Sequence, residues 1–226
     1  MDGADAVKYI IENNIQGSLV ECGVDAGNFP HIWITELMKY GVTMRNIYLY
    51  DTFTGLTEPS EFDYTRTDAK IYTMDANTVK NIWKSQIIDS KTNGWCYTPL
   101  NLVKNKLKIT GYPPENIHYI VGDVMETLKI FVPEKIAILR LDTDWYESSK
   151  IELELMYQNV VPGGVIIFDD YFHWDGQRRA VDDFFNNLVF SKPNNNLVFS
   201  KPNVNIIKLD DKTGAMIKQR DTYLKQ

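Results

Sequence analysis

The sequence predicts an α/β fold with a largely parallel sheet, covered by helices on both faces and closed by an antiparallel tail. Two observations predict it. Short apolar runs that read as buried strands alternate with segments whose apolar residues recur at helical spacing. The last such pair, Val204 to Leu209 and Ala215 to Lys218 around Asp211-Lys-Thr-Gly214, has the form of a hairpin. At 226 residues the chain fits one domain with insertions, spanning residues 1–226.

Val7, Ile10 and Ile11 give a first helix through Asn13. Gly17 to Gly23 is a buried strand ending in glycine, and Gly27-Asn28 opens a helix through Ile32, Ile34, Leu37 and Met38. Ile47 to Asp51 is a second strand with a carboxylate at its end. From Thr52 to about Pro114 the pattern weakens, with helices only near Thr78–Ile88 and Leu100–Thr110, and this stretch is expected to be an insertion or lid. Ile117 to Val121 is a strand ending in Gly122-Asp123, followed by a helix from Met125 to Ile130 and a buried strand from Ile136 to Asp142. A helix from Ser148 to Asn159, with Ser148 as its cap, leads through a turn at Pro162-Gly-Gly164 into the buried strand Val165 to Asp169. Gln177 to about Leu188 is amphipathic. The string NNLVFSKPN occurs twice in tandem, at 186–194 and 195–203, too short for a solenoid repeat. The second copy is expected in a surface loop.

Composition narrows the function classes. The formal net charge of -6 and the absence of a clustered basic surface argue against nucleic acid as a partner. Two cysteines, Cys22 and Cys96, make no disulfide scaffold, and three histidines make a Cys/His zinc site an unlikely design. There is no basic n-region before an apolar run and no membrane-length apolar stretch, so the expected location is cytoplasmic.

In an open parallel sheet, ligands bind outside the carboxyl ends of the strands. Those ends carry Glu21-Cys-Gly23, Asp51, Gly122-Asp123, Asp142 with Asp144, and Asp169-Asp170. One such acid is ordinarily a turn or cap residue. A whole edge of them repels itself unless a cation or ligand compensates. Gly23-Val-Asp-Ala-Gly27 lets a ligand approach the backbone near a helix N-terminus, but it is not G-x-G-x-x-G, and no P-loop is present. Asp51, at the end of the next strand, suits a ribose diol, and Gly122-Asp123 suits the adenine beside it. A nucleoside without a pyrophosphate cradle points to S-adenosylmethionine. Asp142, Asp144, Asp169 and Asp170 form a second set whose all-oxygen chemistry fits a hard cation, Mg²⁺ before Ca²⁺ or Mn²⁺, with structural caps and salt bridges as the alternative. Cys22 reads as core, Arg178 and Arg179 as an ion-paired face, His173 as an ordinary neighbour of the acids, and Trp145 with Tyr146 as either wall or sugar platform.

The strings ECGVDAGNF, YLYDTFTGL, LRLDTDWYESS and PGGVIIFDDYFHWDGQRRAVDDFF resemble those of the macrocin O-methyltransferase (TylF-like) family, from about Gly17 to Leu209. The resemblance implies a Rossmann-like class I methyltransferase fold with a mostly parallel seven-stranded sheet. It implies methylation of a hydroxyl on a sugar or similar small molecule, dependent on S-adenosylmethionine and Mg²⁺. Asp142, Asp169 and Asp170 would then hold the metal, and Asp144 would be the general base. Asp51 would hold the ribose, and Gly23 with its neighbours the methionine part. The full cofactor set is Glu21, Gly23, Asn28, Asp51, Thr52, Gly122 and Asp123. The partner would be a glycosylated or sugar acceptor, and a homodimer is allowed for. Phe172 departs from the family's small residue after Asp-Asp-Tyr and is expected to reshape the acceptor pocket. Two other classes stay open: a nicotinamide-dependent oxidoreductase, disfavoured by the missing G-x-G-x-x-G, and a non-catalytic nucleotide-binding module.

Overall fold

A computed structural model describes residues 2–66, 68, 73–188, 190–191, 197–198 and 205–219. Seven strands form one sheet in the order β3-β2-β1-β4-β5-β9-β8. The first five are β1 (Ser18–Cys22), β2 (Ile47–Asp51), β3 (Ile117–Val121), β4 (Ile136–Leu141) and β5 (Val160–Phe168), all parallel. The tail adds β8 (Ile207–Lys208) and β9 (Gly214–Ile217), each antiparallel to its neighbours. The chain order reverses between β1 and β4, and that switch point opens a crevice at the carboxyl end of the sheet.

Helices α1 (Gly3–Glu12), α2 (Asn28–Lys39) and α4 (Leu100–Lys108) share one hydrophobic cluster with the sheet: Val7, Ile10, Trp33, Leu37, Val103 and Leu107 are all fully buried. On the other face α5 (Val124–Ile130), α6 (Tyr146–Met156) and α7 (Asp175–Asn187) enclose Leu139, Leu153, Ile166 and Val181. The remaining helix, α3 (Ala76–Ser85), lies in the insertion. Since α4 belongs to the core, the segment outside the regular alternation narrows to about residues 52–99 rather than extending to Pro114.

Several local expectations change. Ser148 is no cap: α6 begins two residues earlier, and the Ser148 hydroxyl is buried, donating back to Trp145 O at 3.0 Å. Pro162-Gly-Gly164 is not a turn between elements. It is an irregularity inside β5, where the register with β4 jumps from Ile136↔Val160 to Ile138↔Val165. The first helix starts at Gly3 because Asp2 and Asp5 form a capping box, a signal upstream of the apolar periodicity. Most of the tandem repeat lies outside the described residues. Of what is described, Asn186 and Asn187 end α7, and β6 (Phe190–Ser191) pairs with β7 (Leu197–Val198) across the copies, outside the main sheet.

Candidate active site

The strand ends converge on a cleft of about 240 Å³. Gly23, Asp51, Thr52, Gly122 and Asp123 line one part; Asp142, Thr143, Asp144 and Asp170 line the next. The insertion adds Gly55, Leu56, Trp95 and Cys96, and the β5–α7 loop adds His173 and Trp174.

Gly23 is required where it stands. Its φ is +81°, and a Cβ there would collide with the carbonyl oxygen of Asp142. The close approach ties the β1–α2 turn to the β4 end, reinforced by Asp142 N donating to Cys22 O at 2.8 Å. Asp51 is fixed by three backbone donors: Val24 N at 2.6 Å and Asp25 N at 3.1 Å on Oδ2, and Phe53 N at 2.6 Å on Oδ1. Burial raises its pKa while those donors pull it down. Asp123 caps α5 through Oδ1 on Met125 N at 2.9 Å.

Two members of the expected cofactor set do not reach the cleft. Glu21 is fully buried, its Oε1 accepting from Arg140 Nη1 at 2.6 Å. Asn28 is exposed and accepts from Lys106 instead.

The acids at β4 and β5 form the second half of the cleft. One oxygen each from Asp142, Asp144 and Asp170 lies within 4.8 Å of the others. Burial comes first among the causes that hold all three carboxyls above their ordinary range, and mutual repulsion adds to it. Asp169, expected as the third ligand, is not part of this group; its Oδ1 accepts from Arg140 Nη2. Asp144, expected beside the metal as base, is the third member of this group, on a residue with φ +63°. Asp170 Oδ1 is buried without a hydrogen-bond donor, and the nearest cation, Lys212 Nζ, is 4.0 Å away. An orphaned carboxylate oxygen in an all-oxygen set is what a hard cation fits.

Arg140 was not anticipated, although a guanidinium inside the apolar run IAILRL was its signal, since a buried charge needs a partner. It also binds Asp142 Oδ2 at 2.6 Å and stacks 4.0 Å from the Phe29 ring centroid. Lys212, from the β8–β9 turn, gave no sequence signal. His173 is buried, and desolvation pushes its pKa down to about 4, with Lys212 adding to the shift. Trp145 is buried behind the lining and does not face the cleft: its Nε1 donates to Thr57 O at 2.9 Å, and it backs the lining residues Trp95 and Trp174. Phe172 packs under Lys208 of the tail hairpin, outside the cleft lining, so it does not shape the pocket directly. Arg178 and Arg179 pair with Asp182 and Asp183, and Cys22 is core, as expected.

The family model for macrocin O-methyltransferases (TylF) matches residues 2–198. The chain belongs to this family. Among curated relatives, the 8-demethyl-8-(2,3-dimethoxy-alpha-L-rhamnosyl)-tetracenomycin-C 4'-O-methyltransferase of Streptomyces olivaceus is 27% identical over 187 residues, 83% of this chain and 65% of that protein. The demethyldecarbamoylnovobiocin O-methyltransferase of Streptomyces niveus is 28% identical over 178 residues, 79% of this chain and 62% of that one. The chain thus spans somewhat under two thirds of the length of these relatives. Among solved structures, the O-methyltransferase NovP superposes with TM-score 0.76 at 22% identity, covering 96% of this chain and 78% of that one. The calicheamicin methyltransferase CalS11 gives 0.66 at 18% identity, covering 95% and 76%. Both likenesses establish the class I methyltransferase fold. Among the described residues, no helix is long and apolar enough to cross a membrane.

Proposed function

We propose that this member of the family transfers a methyl group from S-adenosylmethionine to a hydroxyl of a sugar-bearing small molecule, with Mg²⁺ as the cation. One observation carries the reading: the nucleoside-type strand ends, Asp51 and Asp123, and the carboxylates Asp142, Asp144 and Asp170 line a single cleft. The relatives' names, all of them O-methyltransferases and one naming a rhamnosyl substrate, support the class of acceptor.

In this mechanism Gly23 and Gly122 keep the cofactor-side wall free of side chains, and Asp51 and Asp123 accept hydrogen bonds from ribose and adenine. Asp142 and Asp170, within two residues of the ends of their strands, would hold the cation, which would supply the charge that lowers the pKa of an acceptor hydroxyl. Asp144 sits further out on the loop and takes the proton as general base, a role worth roughly 10²–10⁴ in rate. The walls of Trp95 and Trp174 exclude water from the reacting oxygen, and alignment in the cleft provides the remaining acceleration.

The test is a methyl-transfer screen with S-adenosylmethionine over glycosylated small molecules and nucleotide sugars, with product mass as readout. Turnover should vanish in EDTA and return with Mg²⁺, while calorimetric S-adenosylhomocysteine binding persists in EDTA. Binding of NAD in preference to both adenosyl ligands would overturn the reading, and full turnover in EDTA would overturn its cation.

A further inference from the structure

The insertion does more than cover the cleft. Neither α6 nor α7 caps itself: their N-cap residues are Trp145 and Trp174, whose side chains accept no hydrogen bond from the first turn. The two indoles pack on each other instead, with ring centroids 5.2 Å apart. One open donor of each helix is met from the insertion. Asp63 Oδ1 accepts from Tyr146 N at 2.8 Å, and Tyr64 O accepts from Asp175 N at 2.9 Å. Asp63 is fully buried, and its Oδ2 is held by Ser60 N and Ser60 Oγ, both at 2.7 Å. It presses against Gly176 of α7 so closely that a Cβ there would collide with Oδ1. A single carboxylate therefore sits between the starts of the two helices that follow the acid-bearing loops, 142–145 and 169–174.

We propose that Asp63 is a positioning residue that fixes these two loops relative to one another, so that Asp142 and Asp144 from one meet Asp170 from the other. The inference rests on the cation site proposed above. A helix that loses its cap frays through its first turn. In α6 that turn begins two residues after Asp144, and in α7 five residues after Asp170. The cofactor-side residues Gly23, Asp51, Gly122 and Asp123 lie at or just beyond the ends of β1 to β3, whereas the Asp63 carboxylate accepts from Ser60 and Tyr146.

Calorimetry of the whole chain with Mn²⁺ and, separately, S-adenosylhomocysteine tests this. Asp63→Ala should weaken Mn²⁺ binding about five- to tenfold, the worth of a buried cap, and leave S-adenosylhomocysteine within about twofold. Asp63→Asn, which keeps an acceptor oxygen toward Tyr146 N, should restore most of the Mn²⁺ affinity. Gly176→Ala, which displaces the carboxylate from the α7 side, should reproduce the loss. If the alanine variant does not fold, Asp63→Glu moves the carboxylate by one methylene and is read in the same way. Unchanged Mn²⁺ affinity in the folded variants, or parallel weakening of both ligands, overturns the positioning role alone. Wild-type chain that binds no Mn²⁺ overturns the cation site, and this inference with it.

Discussion

Arg140 occupies a position that ordinarily belongs to an aliphatic residue, in the middle of a strand whose every residue is buried. Burial works against its charge, yet Asp142, Glu21 and Asp169 together hold it above its ordinary pKa. Removing one partner of such a cluster leaves an uncompensated buried charge, so its members stand or fall together. The same crowding makes a prediction about pH. Burial pushes Glu21 from 4.5 up to about 8 against the pull of Arg140, and Asp142, Asp144 and Asp170 are also raised. Through these acids the folded chain binds more protons than the unfolded chain from roughly pH 4.5 to 8, a contribution to stability that is lost as pH rises; His173, pushed down to about 4, acts with the opposite sign only below about pH 6.5. Thermal unfolding in EDTA should show Tm dropping from about pH 6 to about pH 8.5, with Mg²⁺ recovering most of the loss at the upper end. A Tm that climbs across this range would contradict buried, proton-holding acids. Residue positions were legible in the sequence where strand ends alone decide them, as for Asp51, Asp123, Asp142 and Asp170. Glu21 was misplaced because successive strand residues face opposite sides: Cys22 enters the α5–α7 core, which turns Glu21 toward Arg140 and Phe29. The Asp169 pairing with Arg140 could not be read ahead because that partner sits on a neighbouring strand, and strand register is not written in either strand alone.

At the scale of elements, the β1–α2 turn is the least tolerant piece of the fold. Gly23 combines a left-handed backbone with contact against the Asp142 carbonyl, so Gly23→Ala has both a conformational penalty and a collision to resolve. A cost of ~2 kcal/mol or more is expected from the strain alone. Denaturant unfolding should register it, together with weakened S-adenosylhomocysteine binding. A variant with wild-type midpoint and affinity would show that β1 and β4 can part without consequence. Periodicity located nearly every helix and strand, because apolar spacing is a local property. It failed at the starts of α1 and α6 for opposite reasons. The α1 start is set by an Asp2/Asp5 box that carries no apolar signal. The α6 start is set by Asp63, which is 83 residues away and invisible to any local window.

For the whole molecule, the alternation of elements implied the parallel sheet, and the structure keeps the insertion on the carboxyl side of it. The tandem repeat starts in the fold and then leaves it: Asn186 and Asn187 end α7 and Leu188 packs on the core, while β6 and β7 pair with each other outside the main sheet. Deleting residues 195–203, which joins Asn194 to Val204, should shift stability by no more than ~0.6 kcal/mol, since closure entropy varies only with the logarithm of loop length. A melting curve displaced well beyond that would mean the second copy packs on the core or on another subunit. The cleft has one further consequence. Among the described residues it is lined by Asp25, Asp51, Asp123, Asp142, Asp144 and Asp170 against one cation, Lys212, in a chain already negative overall. Asp142, Asp144 and Asp170 add to its field only once they release the protons that burial lets them hold, and from then on it concentrates positively charged ligands on approach. A sulfonium donor is positive, and the thioether left after its methyl departs is not. The reaction itself would therefore switch off part of the attraction that brought the donor in, and a donor–product exchange driven by charge needs no moving part.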